Sequence, residues 1–211
     1  MSALQQIAYY LNVRDEVPNQ ALAKRLAEEE DFEGLAEIAA HLTDKNASVA
    51  SDCLKVLYET GYLKPELIAP YAQDFIGLLT SKNNRMVWGA MIALSTIADI
   101  NPKPIAAQLQ QILIVMEMGS VITVVSGVRT LGKLFSAVPQ QAEQAMPYLS
   151  NLLGTCIPRD VATHGESLLP MMNATNVDFF RLIFESRVPD MSSSQARRMR
   201  AVLKKMEKIT V

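Results

Sequence analysis

Leu42-Thr43-Asp44-Lys45-Asn46 returns as Leu79-Thr80-Ser81-Lys82-Asn83, 37 residues further on, and this near-identity decides how the whole chain is read. The same step lands next on Met116-Glu117-Met118-Gly119 and then on Leu152-Leu153-Gly154-Thr155. Four polar turns in one register, each with helical patterning on both sides, give the period of two-helix solenoid repeats.

Working outward from those turns, the step superposes Leu57, Leu94, Leu131 and Leu168, and also Cys53, Ala90 and Gly127. These columns predict a large and a small buried position in the second helix of each repeat. The β-branched run Val121-Ile122-Thr123-Val124-Val125 favours a strand in isolation, but the register places it under two clear helices, and context overrides propensity. In the fourth copy a one-residue slip puts Gly165 in the small slot, with Val161 and Leu169 beside it.

The first helices (A) are expected at 32–42, 65–79, 103–118, 140–153 and 176–187. The second helices (B) are expected at 47–60, 84–100, 120–137, 158–172 and 193–208. Pro65, Pro102 and Pro158 fall at helix starts, where a missing N–H costs little. Pro70 and Pro147 fall inside A helices and predict kinks. Before the repeats, Leu4, Ile7, Ala8 and Leu11 predict a capping helix over 2–12 with Ser2 as its cap, and a second helix covers 19–30. Glu28-Glu29-Glu30-Asp31 reads as its solvated end. The fold class is therefore all-α, a right-handed α–α superhelix of about five helix pairs. It forms a single domain over 1–211: capping helices at 1–31, repeats at 32–172 and a C-terminal capping pair at 173–211.

Composition bounds function. The 211 residues are 49% hydrophobic and 20% charged, enough to bury a sizeable core. Cys53 and Cys156 are the only cysteines, with no CxxC pair, so neither a disulfide framework nor a zinc site is expected and a reducing, cytoplasmic setting is the default. The N-terminus lacks a secretory pattern. The most apolar stretch, Ile112 to Val128, is interrupted by Glu117, Gly119 and Ser120 and falls short of the roughly 20 residues a membrane span needs, so no membrane insertion is expected. Residues 1–100 hold 8 Lys/Arg and 14 Asp/Glu, a net −6; residues 101–211 hold 12 and 8, a net +4. That asymmetry bears on partners and association rate.

The stretch Leu42 to Val49, followed by Cys53 and Leu57, and the mid-helix proline of Pro147-Tyr148-Leu149-Ser150-Asn151-Leu152-Leu153, resemble the HEAT repeats, relatives of the armadillo repeats. The resemblance covers about residues 32–172. It departs from the family where an Arg is usual after the Val of helix B: Ala50, Val87, Val124 and Ala162 stand there, so the Asp–Arg ladder is missing. What the resemblance implies is a curved scaffold whose concave face, lined by B helices, holds another macromolecule; because solenoids expose large groove surfaces and no catalytic constellation is in view, the leading expectation is a non-enzymatic scaffold for a protein partner. Two other HEAT-like groups offer alternatives. One is the DNA alkylation-repair glycosylases, which need a basic, aromatic groove and fit poorly with one Trp and a pI near 5.8. The other is the bilin lyases, for which nothing is diagnostic.

No phosphate loop or cofactor motif is present, and no catalytic constellation converges. Asp160 and His164, spaced i, i+4, lack a third group and read as a surface pair. Reading the B helices column by column turns Lys55, Ile92, Arg129 and Glu166 away from the leucine column. Trp88, Arg129 and Lys133 thus form the expected centre of a partner groove, with Lys55 and Arg85 at its edge; Trp and Arg are the types that dominate binding energy. The C-terminal helix carries Arg197, Arg198, Arg200, Lys204, Lys205 and Lys208 opposite an inward stripe of Met199, Val202, Leu203 and Met206. It suits an acidic partner, with another copy's Glu28–Asp31 run as the homo-oligomeric version.

Overall fold

The computed structural model describes Ser2 to Ile209, and all the regular structure among those residues is helical. The α-helices are α1 (Val17–Glu29), α2 (Phe32–Ala40), α3 (Ala47–Leu63), α4 (Ala72–Leu78), α5 (Asn84–Ile97) and α6 (Pro102–Ala107). They continue with α7 (Leu109–Glu117), α8 (Val121–Ala137), α9 (Met146–Thr155), α10 (Pro158–Leu168), α11 (Val177–Arg187) and α12 (Ser193–Met206). Among the described residues no helix is long and apolar enough to cross a membrane. Two compact units divide the chain within α8, Met1–Ser126 and Gly127–Val211.

The repeated turn has a local cause. Asn46 accepts the Ser48 N–H at 3.0 Å and Asn83 accepts the Arg85 N–H at 3.0 Å, so each is the N-cap of the helix that follows. Two residues earlier, Asp44 Oδ1 accepts the Asn46 N–H at 2.8 Å and Ser81 Oγ accepts the Asn83 N–H at 3.1 Å, closing the turn before the cap. One step further on, Ser120 accepts the Thr123 N–H at 3.3 Å ahead of α8. The fourth copy substitutes Ile157 in extended backbone followed by Pro158 at the helix start. The motif recurs because a cap recurs.

In the first unit α1 packs on α3 and α3 on α5, while α2 packs on α3, and α4 on both α5 and α6, so the helices lie in two layers. Leu57 and Leu94 are fully buried between the layers, and Cys53 and Ala90 occupy the small column with no exposed surface. In the second unit α10 packs on α12 and α9 on α11, with α11 against both α10 and α12. Leu131 and Leu168 are fully buried there. Each such leucine contributes about 1.5–3 kcal/mol by leaving water. The run Val121–Val125 is helical, as the register requires.

Several expected boundaries are corrected. No α-helix forms over 2–12: a single 3₁₀ turn, Leu4–Gln6, is followed by irregular backbone with Asn12 left-handed at φ 55°. The buried Asn19 side chain takes the Ala8 N–H at 2.9 Å, removing it from any helix. Ser2 caps nothing; its hydroxyl donates to Glu37 on α2, and the other Glu37 oxygen accepts the Ala3 N–H at 2.8 Å. That serine hydrogen bond, chiefly, holds the Glu37 carboxyl below its ordinary range. The A helices expected at 65–79 and 140–153 begin instead as 3₁₀ turns, Pro65–Leu67, Ala69–Tyr71 and Pro139–Ala145, and become α-helical only at Ala72 and Met146. Pro70 and Pro147 therefore mark where each helix starts rather than kinking a longer one, since neither can donate to a preceding carbonyl. The helix expected at 103–118 divides at Gln108. Gly165 is the residue against which α11 and α12 pack: a Cβ added there would lie 3.2–3.3 Å from atoms of Phe184, Met199 and Val202. Leu168 rather than Leu169 is the fully buried leucine, because α10 ends there, ahead of Pro170.

Gly77 in α4 and Gly154 in α9 face open space, with nothing near the position of an added Cβ. Gly77→Ala and Gly154→Ala are each expected to raise stability by about 0.5–1 kcal/mol through lower unfolded-state entropy. Urea unfolding checks this: a midpoint that does not rise contradicts the open placement.

Candidate protein-binding face

Lys55, Tyr58, Glu59 and Tyr62 lie at i, i+3, i+4 and i+7 of α3 and so share one face. Lys55 Nζ lies 2.6 Å from Glu59 Oε1, 2.8 Å from Glu16 Oε2 and 4.8 Å from the centre of the Tyr58 ring. The second Glu16 oxygen is 3.2 Å from the Arg85 guanidinium on α5. One carboxylate just before α1 thus ties α3 and α5 together. Burial opposes the charge on Lys55, but the hydrogen bonds to Glu16 and Glu59 outweigh it and raise the ammonium above its ordinary range.

Beside this charged knot runs an aromatic ladder. Tyr62 is exposed and stands edge-on to Tyr58 at 6.3 Å; Tyr58 is buried and lies 6.4 Å from half-buried Trp88 on α5. α3 and α5 can approach this closely because of Gly89: a Cβ there would sit 2.7 Å from Leu54 Cδ2. Gly89, the neighbour of Trp88, thus faces Leu54 and Tyr58 of α3.

Of the groove residues expected from sequence, Arg85 is exposed, Trp88 half-buried and Lys55 buried at 6% exposure. Lys55 is spent on two carboxylates of its own chain, so it is not an open edge contact; its angle on α3 alone points it outward, but the segment before α1 covers it. Arg129 and Lys133 belong to the second unit, one turn apart on α8, both half-buried. The cations of α12, and Lys208 just beyond it, are exposed; of the expected inward stripe Met199, Val202 and Met206 are buried and Leu203 is half-buried. Arg198 is engaged: its Nε and Nη2 donate to the two Glu166 oxygens at 2.7 and 2.6 Å. The acidic run is also matched within the chain. Lys24 pairs with Glu28 at 3.7 Å, Arg25 with Glu29 at 2.7 Å and Asp31 at 3.3 Å, and Lys64 with Glu30 at 2.6 Å. A head-to-tail contact through that run must break these pairs.

His164 is buried at 2% exposure, not the surface residue expected; α10 turns it inward beside Gly165. Burial lowers its pKa, and the nearby Asp160 charge offsets this only in part. The unfolded chain therefore takes up the proton first. This contribution to stability is fully present above the ordinary imidazole value of 6.5 and is lost as pH falls below it. Carboxyls depressed below 4.5, such as Glu37 and Glu166, act only at lower pH. Urea midpoints should accordingly fall between about pH 7.5 and 5, and fall less in His164→Gln; equal slopes in the two proteins contradict the assignment. Both cysteines are unpaired, and burial pushes the Cys53 thiol up to about 12, which keeps it inert.

Comparison with protein-family models and with curated proteins finds no match. Among solved structures the chain is similar to an engineered protein determined by crystallography in a structural-genomics programme, with a TM-score of 0.66 and 15% identity over 99% of this chain and 98% of that one. At that identity the likeness is one of fold alone.

Proposed function

We propose that the chain is a non-enzymatic protein-binding scaffold of the HEAT-like α-solenoid kind, and that the α3–α5 face of the first unit seats the partner. The 37-residue register, the recurring caps at Asn46, Asn83 and Ser120, and the two-layered packing of the first unit support a right-handed superhelix of about five helix pairs. The observation that carries the binding reading is the ladder Tyr62–Tyr58–Trp88 beside exposed Arg85. Aromatic rings held rigid by packing, with a guanidinium at their edge, are the groups that most often anchor an interface. The two free thiols fit a cytoplasmic setting.

Affinity capture from the native cells, with and without nuclease, tests this. A protein captured in both conditions at a fixed stoichiometry is the expected result. Recovery of nucleic acid, with protein lost on nuclease treatment, would overturn the reading in favour of a nucleic-acid-binding relative.

A further inference from the structure

α12 is held against the second unit from two directions. Ala196, Met199, Val202 and Met206 are buried as its inner stripe. On its flank Arg198 donates to both Glu166 oxygens on α10, and its Nη1 donates to Thr163 Oγ1 at 3.1 Å. Stripe and clasp together fix which side of the helix looks out. At 100° per residue Arg197, Arg200 and Lys204 fall opposite the buried stripe, and Lys208 continues their line in the turn after Met206.

All four side chains are exposed, and none makes an ion pair or side-chain hydrogen bond among the described residues. Helices α1 and α3 match their cations: Lys24 meets Glu28, Arg25 meets Glu29 and Lys55 meets Glu59, each four residues on. On α12 the residue four after Arg200 is Lys204, and four after that is Lys208. Like charges at this spacing weaken a helix. The helix dipole favours cations in the last turn, which accounts for Lys204 but not for Arg197 or Arg200. The outer face thus carries a repulsion that nothing among the described residues relieves, and an anion laid along it does.

We propose that the outer face of α12 docks an acidic helical segment of a protein partner. The positive strip is one helix wide: Glu166, joined to Arg198, lies on one flank, and Glu207 falls on the other by helical angle. That width suits a single rod of negative charge better than the flat surface of a bilayer. Arg200, Lys204 and Lys208 follow one another at about 6 Å along the axis, the step of glutamates placed every fourth residue on a partner helix. No aromatic residue occurs in α12 to stack on a base, the usual means of holding single-stranded nucleic acid. A second copy fits poorly, because its acidic run at 28–31 is already paired within its own chain.

The assignment concerns the second unit alone and does not depend on the aromatic ladder of the first. The full-length chain is titrated into a fluorescein-labelled, alanine-based helical peptide with glutamate at every fourth position, and fluorescence anisotropy is read. Its glutamine counterpart, a labelled DNA duplex and phosphatidylserine vesicles serve as the alternatives. Saturable binding of the glutamate peptide is expected, absent with glutamine and tighter than binding to the duplex or the vesicles. Arg200→Glu should weaken the peptide by about tenfold and melt no lower than the native chain, because it sets a glutamate four residues ahead of Lys204. Lys82→Glu, the same change of charge at an exposed turn of the first unit, should leave binding unaltered. No saturable binding of the glutamate peptide, equal binding of the glutamine peptide, or tighter binding of duplex or vesicles would overturn the site. So would equal weakening by Lys82→Glu, self-association of the chain that Arg200→Glu abolishes, or an Arg200→Glu variant that melts lower.

Discussion

Arg187→Ala is expected to lower stability by about 3 kcal/mol, seen as a drop in urea midpoint at unchanged slope. Arg187 is 8% exposed at the end of α11, and its guanidinium reaches into the C-terminus of α9. One Nη donates to Leu153 O and the other to Cys156 O at 2.6 Å, while Nε lies 3.2 Å from Asp190 Oδ2. The last carbonyls of a helix have no partner within it, so this side chain acts as the cap of α9 from a different helix. Truncation leaves those carbonyls unmatched, whereas Asp190, at the surface, relaxes into water. Arg187→Lys should recover only part of the loss, because a single ammonium cannot reproduce the planar fork. A stability change under about 1 kcal/mol for Arg187→Ala would show that water replaces the guanidinium without cost.

Gly132→Ala should destabilise by a similar amount, about 3 kcal/mol, at the upper end for overpacking. A Cβ at Gly132 in α8 would fall 1.9 Å from the Ser167 carbonyl oxygen and 3.3 Å from the Leu168 Cα. Those are backbone atoms at the end of α10, so relief requires moving a helix and not a rotamer. Gly154→Ala in the same unit is the control, since there an added methyl meets nothing and helix propensity favours alanine. If the two variants melt alike, the close approach of α8 and α10 is not the constraint described.

What is legible in the sequence depends on repetition. The cap at Asn46 can be inferred because Asn83 repeats it, and the leucine column because four copies align; burial of Leu57, Leu94, Leu131 and Leu168 follows that register. The helicity of Val121–Val125 comes from the same source against local propensity. What does not repeat is not legible. The first segment reads as a helix by periodicity, yet Asn19 and Glu37 bind its backbone N–H groups, and side chains that far along the chain leave no periodic trace. The angle of Lys55 on α3 points to a groove; its burial comes from Glu16, outside the repeats. Tyr58 and Tyr62 do carry a signal, the i, i+3, i+7 spacing from Lys55, which runs along one helix and is invisible to columns taken every 37 residues. Arg187 looks like an ordinary cation ending a helix; nothing local to it announces that its partners are the carbonyls of Leu153 and Cys156.

The face built around Trp88 is tested most directly by measuring partner capture and thermal stability together for Trp88→Ala. Trp88 is half-buried and contacts Tyr58 from the edge of the layer, so its loss should reduce capture by about tenfold or more while costing less than about 3 kcal/mol of stability. Undiminished capture, or a stability loss of about 3 kcal/mol or more of the kind a core aromatic gives, would contradict the assignment of this face to a partner.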